Sequence, residues 1–287
     1  MKNIALIPNA ERDKNYKYTK QLINIIGSRA NILLSKKHAE IGEGVCYVEE
    51  SELSSKADVL IALGGDGTIL GVVNEALGYD VPVLGINLGH LGFLAEVEPF
   101  NMEYAVNKLL AGDFEIENRA MIRADIYRDE KSIKTLHALN DILVARASFS
   151  RLLRLRTPID AHLLDSFVAD GVILSTPTGS TAYSLSAGGP IVDPSIEAML
   201  ITPVCPHSMH TRPMIVPLAK ELIVEFEEGY DEEGAFVSAD GKQGINLASG
   251  DVIRASKSEH TIKLIKITDT TFYDTIRQKL NERGAAR

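Results

Sequence analysis

The run Val59-Leu60-Ile61-Ala62-Leu63, followed at once by Gly64-Gly65-Asp66-Gly67, constrains this chain more than any other stretch. A strand that ends in a glycine turn and feeds a helical pattern over residues 68–77 is one βα step of a parallel sheet. The same rhythm surrounds it: residues 3–7, 31–34, 59–63 and 81–86 read as strands, and 16–26 and 69–77 as helices. Glycines in such a turn let the backbone approach a ligand closely, and the N–H groups at the start of the helix favour an anion. Asp66 is out of place there, because a phosphate site ordinarily avoids negative charge. The carboxylate must hold a metal, accept a proton, cap the helix, or signal that no phosphate binds.

A further helix is expected over 102–110, with Met102, Ala105, Val106, Leu109 and Leu110 apolar and Gly112 to stop it. After Phe114 the pattern changes to short strands. Residues 121–127 and 135–145 flank the polar turn Arg128-Asp129-Glu130-Lys131, and 222–226, 235–238, 252–254 and 262–267 continue the series. Residues 271–280 read as a closing helix. The expected architecture is an α/β N-terminal domain with a Rossmann-like parallel sheet, and a β-rich, sandwich-like C-terminal domain. The first comprises residues 1–118 plus 268–287, the C-terminal segment returning to it; the second comprises 119–267.

At 287 residues the chain is long enough for two such cores. Its net charge of −9 argues against a surface that wraps nucleic acid, so a small anionic ligand needs local basic help. No apolar stretch approaches the about 20 residues needed to span a bilayer, and the N-terminus lacks a signal-peptide pattern. No membrane partner and a cytoplasmic location are therefore expected. Cys46 and Cys205 are far apart in sequence, which suits reduced thiols.

Three more segments carry chemistry. Asp170-Gly171 leads through Val172-Ile173-Leu174 to Ser175-Thr176-Pro177-Thr178-Gly179-Ser180-Thr181-Ala182-Tyr183-Ser184, a concentration of hydroxyls and glycines behind an apolar strand. Such a loop offers N–H and O–H donors to phosphate or ribose oxygens, and Tyr183 offers a flat face to a base. Asn140-Asp141 sets an amide and a carboxylate inside an otherwise apolar run; it suits either a turn or a ligand with amino and hydroxyl groups. Gly89-His90-Leu91-Gly92-Phe93 follows the fourth strand and could border the same cleft. His207 and His210, near Cys205, lack a metal-ligand spacing and read as structural.

Gly64-Gly65-Asp66-Gly67-Thr68, Asn87-Leu88-Gly89-His90-Leu91-Gly92-Phe93-Leu94, Asn140-Asp141, Asp170-Gly171, Thr176-Pro177-Thr178-Gly179-Ser180-Thr181-Ala182-Tyr183 and Pro206-His207-Ser208 occur in this order. Together, over roughly residues 1–280, they resemble bacterial NAD kinases. The glycine-aspartate element alone is shared with lipid kinases and, more loosely, phosphofructokinases. The threonine-rich element singles out the NAD kinases.

The resemblance implies an enzyme that phosphorylates the 2′-hydroxyl of the adenosine ribose of NAD to give NADP, using ATP or another donor and a divalent cation, Mg2+ or Mn2+. It implies Asp66 as the general base, with Gly64, Gly65, Gly67 and Thr68 around the donor phosphates. Asp66, Gly67, Asn140, Asp141, Arg151, Asp170, Thr181, Ala182, Tyr183, Ser184, Leu185, Ser186 and Gln243 match the NAD-contacting positions, and no protein ligand is assigned to the metal. Asp170 matches an acid that in the family often works across a subunit interface, so a homodimer or homotetramer with its site near that interface is expected. Asn74 departs from the pattern, standing where many members carry an arginine.

Overall fold

The computed structural model describes residues 2–89, 92–147, 152–160, 162–226, 234–248 and 250–285. The chain divides into two compact units, Met1–Asn118 with Ile262–Arg287, and Arg119–Thr261. The first contains β1 (Asn3–Pro8), α1 (Lys17–Ile26), β2 (Asn31–Ser35), β3 (Cys46–Val48), α2 (Leu53–Lys56), β4 (Val59–Gly64), α3 (Asp66–Glu75), β5 (Val83–Asn87) and α4 (Met102–Ala111). Its strands run parallel in the order β5-β4-β1-β2-β3. Every residue of β4 and β5 is buried. Strands covered on both faces have no wet side, which is why the run before Gly64 is apolar without alternation.

The helices cover this sheet with one apolar face each. α1 buries Thr19, Leu22 and Ile26, α3 buries Ile69, Val72 and Val73, and α4 buries Met102, Ala105, Val106 and Leu109, at helical spacings of three and four. Leu6, Leu22, Ile61, Leu84, Val106 and Ile265 share one core. The entry to α1 is organised by Asp13, which is fully buried. Its carboxylate accepts from the amides of Tyr18 (2.8 Å) and Thr19 (2.9 Å) and from the Thr19 hydroxyl (2.6 Å), satisfying donors of the first turn. Residues 9–12 are left as a loop at the carboxyl end of β1.

Further along come β6 (Glu115–Arg128), β7 (Lys131–Ala138), β8 (Asp141–Arg146), β9 (Leu153–Ile159), β10 (His162–Ala169), β11 (Gly171–Ser175), α5 (Tyr183–Ser186), β12 (Ala198–Val204), β13 (Met214–Pro217), β14 (Leu222–Phe226), β15 (Ala235–Ala239), β16 (Ile245–Leu247) and β17 (Val252–Lys266). Six strands form an antiparallel sheet in the order β13-β12-β11-β8-β15-β16. Others pair as β10-β9-β14-β17 and as the hairpin β6-β7. Residues of both sets, including Val144, Val172, Leu155, Val224 and Ile253, close on one core in the manner of a sandwich. At its far end β17 serves the first unit, where Leu264 pairs in parallel with Val83, and α6 (Phe272–Ala285) follows.

Residues 135–145, expected as one strand, are two: β7 ends at Ala138, and β8 begins at Asp141 in the other sheet. Asn140 thus lies in a break between strands. Residues 252–254 and 262–267, expected as two strands, are one. Of the intervening positions Ala255 and Ser258 are buried and the rest are half-buried or exposed, and this polarity hid the continuity.

Asp13→Ala leaves the first-turn amides of α1 without their acceptor in a buried place. The expected loss of stability is about 1–2 kcal/mol, the usual range for a removed N-terminal cap. Thermal denaturation of the two proteins checks this, and equal midpoints would show that other groups hold the helix start.

Candidate active site

β4 delivers Gly64-Gly65-Asp66-Gly67 to the carboxyl edge of the parallel sheet, where open α/β sheets bind ligands. Gly65 is the extended residue preceding α3, and Asp66 is the first helical residue. Thr68 N and Ile69 N both donate to the Gly65 carbonyl, at 2.9 and 3.2 Å. The Thr68 side chain folds back over Gly64, where an added Cβ would lie 2.1 Å from its Oγ1. Gly67 is the opposite case: an added Cβ there meets nothing within 4 Å, so its backbone faces open space.

Asp66 does not cap its own helix. Oδ2 accepts from Phe93 N (2.8 Å) and Oδ1 from Leu94 N (3.1 Å), across the loop that follows β5. A carboxylate has about four lone-pair sites, so these two bonds orient the group and leave it able to accept further hydrogen bonds. Gly92 makes the arrangement possible, since a Cβ on it would lie 2.0 Å from Asp66 Oδ1.

A guanidinium that the sequence reading passed over lies at this turn. An added Cβ would come within 2.9 Å of Arg12 Nη1 at Gly65, and within 2.5 Å at Gly89. Asn9 sets the loop that carries it: its amide donates to Leu63 O (2.9 Å) and its Nδ2 to Thr68 Oγ1 (3.0 Å), while its Oδ1 accepts from the amides of Glu11 (3.1 Å) and Arg12 (3.2 Å). Asn74, in contrast, returns its Nδ2 to the Leu70 carbonyl of its own helix (2.9 Å). The signal in the sequence was a basic residue in the first βα loop, at the same sheet edge.

In the second unit, the break at Asn140 is held by two other segments. The Asn140 carbonyl accepts from Thr176 N (2.9 Å) and Ser175 Oγ (3.1 Å), and the Leu139 carbonyl from Thr176 Oγ1 (2.5 Å). Gly179 packs against the backbone of Asn140, its would-be Cβ 2.1 Å from that carbonyl oxygen. From the other side, the Asp240 carboxylate accepts from the amides of Leu139 (2.9 Å), Asn140 (2.7 Å) and Asp141 (3.2 Å). Asp240 sits in a tight turn at φ 49° beside Gly241 at φ 70°, and its clamping role was not anticipated.

Asp141 is only 7% exposed. Burial, with the Asp240 charge second, pushes its carboxyl up to about 7. Burial raises Asp240 as well, against the opposing pull of its three backbone N–H donors. This is a carboxyl pair whose charge a hydrogen-bond-donating ligand would stabilise.

The remaining expected residues divide. Thr181, Ala182 and Leu185 are half-buried, and Tyr183 and Ser186 are exposed. The Ser184 hydroxyl is buried against Thr202 Oγ1 (2.9 Å). Gln243 is exposed, just past the Asp240 turn. Asp170 pairs with Arg146 (2.8 Å) at the opposite end of β11 from Thr176. The five residues of β11 separate the two, six steps of extended chain or about 20 Å. Arg151, His90 and Leu91 lie outside the described residues. Arg212 donates to the carbonyls of Met209 (2.7 Å) and Thr211 (2.9 Å) in the exposed histidine-containing segment. Elsewhere, His137, Glu259 and His260 bring ligand-type atoms within 4.8 Å of one another, but the Arg123 guanidinium already lies beside Glu259 (3.5 Å).

An amide-anchored acid at the carboxyl edge of a Rossmann-like sheet, and a β-rich unit whose Asn-Asp loop is knitted to a hydroxyl-rich turn, define a nucleotide-handling α/β protein. Residues 6–114 match the ATP-NAD kinase N-terminal domain and 139–267 the ATP-NAD kinase C-terminal domain, and the chain belongs to the NAD kinase family. An NAD kinase of Moorella thermoacetica is 44% identical over 287 residues, covering 99% of this chain and 91% of that protein. One from Caldanaerobacter subterraneus subsp. tengcongensis is 39% identical over 285 residues, covering 99% and 100%. Among solved structures, yeast NADH kinase complexed with NADH has a TM-score of 0.90 at 28% identity, covering 98% of this chain and 88% of that one. An NAD kinase from Archaeoglobus fulgidus in complex with ATP shares the fold, with a TM-score of 0.75 at 24% identity over 97% of this chain and 98% of its own.

The Asp141 carboxyl has a defined effect on stability. Its folded value of about 7 lies above the ordinary 3.8, so the folded chain keeps a proton that the unfolded chain sheds. The contribution is complete below the unfolded value and is lost as pH rises through the folded one. Asp141→Asn is expected to gain melting temperature relative to the parent as pH rises from 5 to 8. Parallel curves for the two proteins would overturn the assignment.

Proposed function

We propose that this chain phosphorylates NAD at the 2′-hydroxyl of its adenosine ribose, with ATP as donor and NADP and ADP as products. The observation that carries the reading is Asp66, anchored by two amides at the head of α3 beside the open backbone of Gly67. The ribose oxygen attacks the γ-phosphorus, the bond from that phosphorus to the bridging oxygen of ADP breaks, and the hydroxyl proton passes to Asp66. Phosphoryl transfer asks mainly for in-line positioning, charge neutralisation and removal of that proton, and the first unit's turn is suited to all three. Gly64, Gly65, Gly67 and Thr68 surround the donor phosphates.

Asn140 and Asp141 hold the adenosine half, the amide reading the base edge and the carboxylate accepting from hydroxyl or amino groups. Thr181, Ala182, Tyr183, Leu185 and Ser186 line the nucleotide pocket with Gln243, and Ser184 supports it from below through Thr202. In this reading the first unit carries the phosphate turn and the second binds NAD. Asp170, at the far end of its sheet from Asn140, serves the nicotinamide end of a partner copy's substrate, which makes the working form a homodimer or homotetramer. Among the described residues no helix is long and apolar enough to cross a membrane, and Cys46 and Cys205 are free and exposed thiols; both suit a cytoplasmic enzyme.

The donor set at the turn fits a hard divalent cation, Mg2+ or Mn2+, because it offers the Asp66 carboxylate and no soft ligand, and such ions are held largely through substrate phosphates. When bound, that ion offsets the repulsion between those phosphates and Asp66.

Purified protein supplied with NAD, ATP and magnesium is expected to form NADP, read out with an NADP-specific dehydrogenase; no NADP would end the proposal. Asp66→Asn keeps the side chain's size and is expected to lower the rate by about 10² or more, as loss of a general base does. Near-normal turnover would remove Asp66 from the role of base. In Gly92→Ala the new methyl displaces the Asp66 carboxylate, and the rate is expected to fall by about 10²-fold, the cost of a misplacement near 1 Å. An unchanged rate would show that the anchored position of Asp66 is not the reactive one.

A further inference from the structure

The turn that receives the donor phosphates also carries an acid, and its helix supplies only the partial charge of its amides. Asn74 adds no cation, since its amide is bonded within α3. Yet a triphosphate brings several negative charges to this edge of the sheet.

Arg12 is the cation placed there. It follows β1, Gly65 follows β4 and Gly89 follows β5, and these three strands are adjacent in the order β5-β4-β1. The guanidinium therefore spans three loops at one carboxyl edge, close enough to two glycines that any Cβ at Gly89 would collide with it at 2.5 Å. Its backbone is fixed by Asn9, which is itself tied to Leu63 and to Thr68 of the turn. The neighbouring acid, Asp13, is spent on the amides of α1 and stays buried. Arg12 is exposed, and among the described residues no carboxylate forms an ion pair with it. An arginine held against glycines, with donors in a rigid fork, matches the geometry of phosphate oxygens better than a lysine's point charge.

We propose that Arg12 binds the phosphates of the donor nucleotide at the Gly64-Gly65-Asp66-Gly67 turn and is the positive charge that this chain uses there where Asn74 supplies none. The assignment rests on the kinase reading above and goes further by naming the residue that recognises the donor. It assigns Arg12 to the donor and not to the acceptor because the guanidinium covers Gly65, on the strand side of Asp66, while the acid itself must face the acceptor hydroxyl.

The test is steady-state kinetics of full-length Arg12→Gln and Arg12→Lys with NAD and magnesium-ATP varied separately, beside melting temperatures and calorimetric titration with magnesium-ATP alone. Arg12→Gln is expected to raise KM for ATP tenfold or more and to weaken ATP binding by a similar factor, with KM for NAD within twofold of the parent and an unchanged melting temperature. Arg12→Lys is expected to recover part of the loss. An unchanged KM for ATP overturns the proposal, as does a rise in KM for NAD instead. Equal rises in both constants together with a lowered melting temperature would assign Arg12 to holding the loops and overturn it too. If the parent protein forms no NADP, the kinase reading fails first; if the parent is active and Arg12→Gln binds ATP as well as it does, only the Arg12 assignment fails.

Discussion

A helix N-terminus repels nothing negative, and that makes the tethering of Asp66 the interaction on which the first unit's edge depends. Left to itself, an acid at the first helical position would fold onto the amides of its own turn, satisfying donors that an anionic ligand would otherwise use. The amides of Phe93 and Leu94 draw the carboxylate away from the helix and toward the loop after β5. One pair of hydrogen bonds thereby separates two functions that compete for the same place: an anion-receptive helix start and a fixed acid beside it. The parallel sheet supplies the frame, because β4 and β5 are adjacent and deliver both loops to one edge.

The second unit solves a different problem. A chain that leaves one sheet at Ala138 and enters another at Asp141 exposes backbone donors and acceptors at the crossing, and each needs a partner. Asp240 takes the donors, and Thr176 and Ser175 take the acceptors. The cost is a second carboxyl beside Asp141: burial raises both, and the Asp240 charge adds to the rise at Asp141. A ligand that donates hydrogen bonds to the pair would offset that cost.

Much of the fold was legible in the sequence. The apolar run before Gly64, the helical spacing over Met102 to Leu109 and the change of rhythm after Phe114 are local patterns, and they give an α/β unit followed by a β-rich one. The glycine-aspartate turn and the Thr-Pro-Thr-Gly segment were legible for the same reason. What the sequence hid lies in pairings between distant residues. Asp66 meets amides 27 and 28 positions away, and Asp240 meets Asn140 across 100. Arg12 carries no local mark beyond its charge, and its placement emerges only when three strands set their loops side by side. The break at Asn140 was missed because its flanks are apolar on both sides and read as continuous.

Gly92 has a consequence at the level of the gene. Every amino acid that a single nucleotide change can put in place of glycine carries a Cβ, and at this position that atom would fall 2.0 Å from the Asp66 carboxylate. Drift is therefore closed at residue 92 in a way that it is not at Gly67, where the added atom meets open space. A single step at residue 92 would displace the acid, so the position of Asp66 and the identity of residue 92 are constrained together. The smallest residue in the loop thus makes the geometry of Asp66 a historical fixture as well as a physical one.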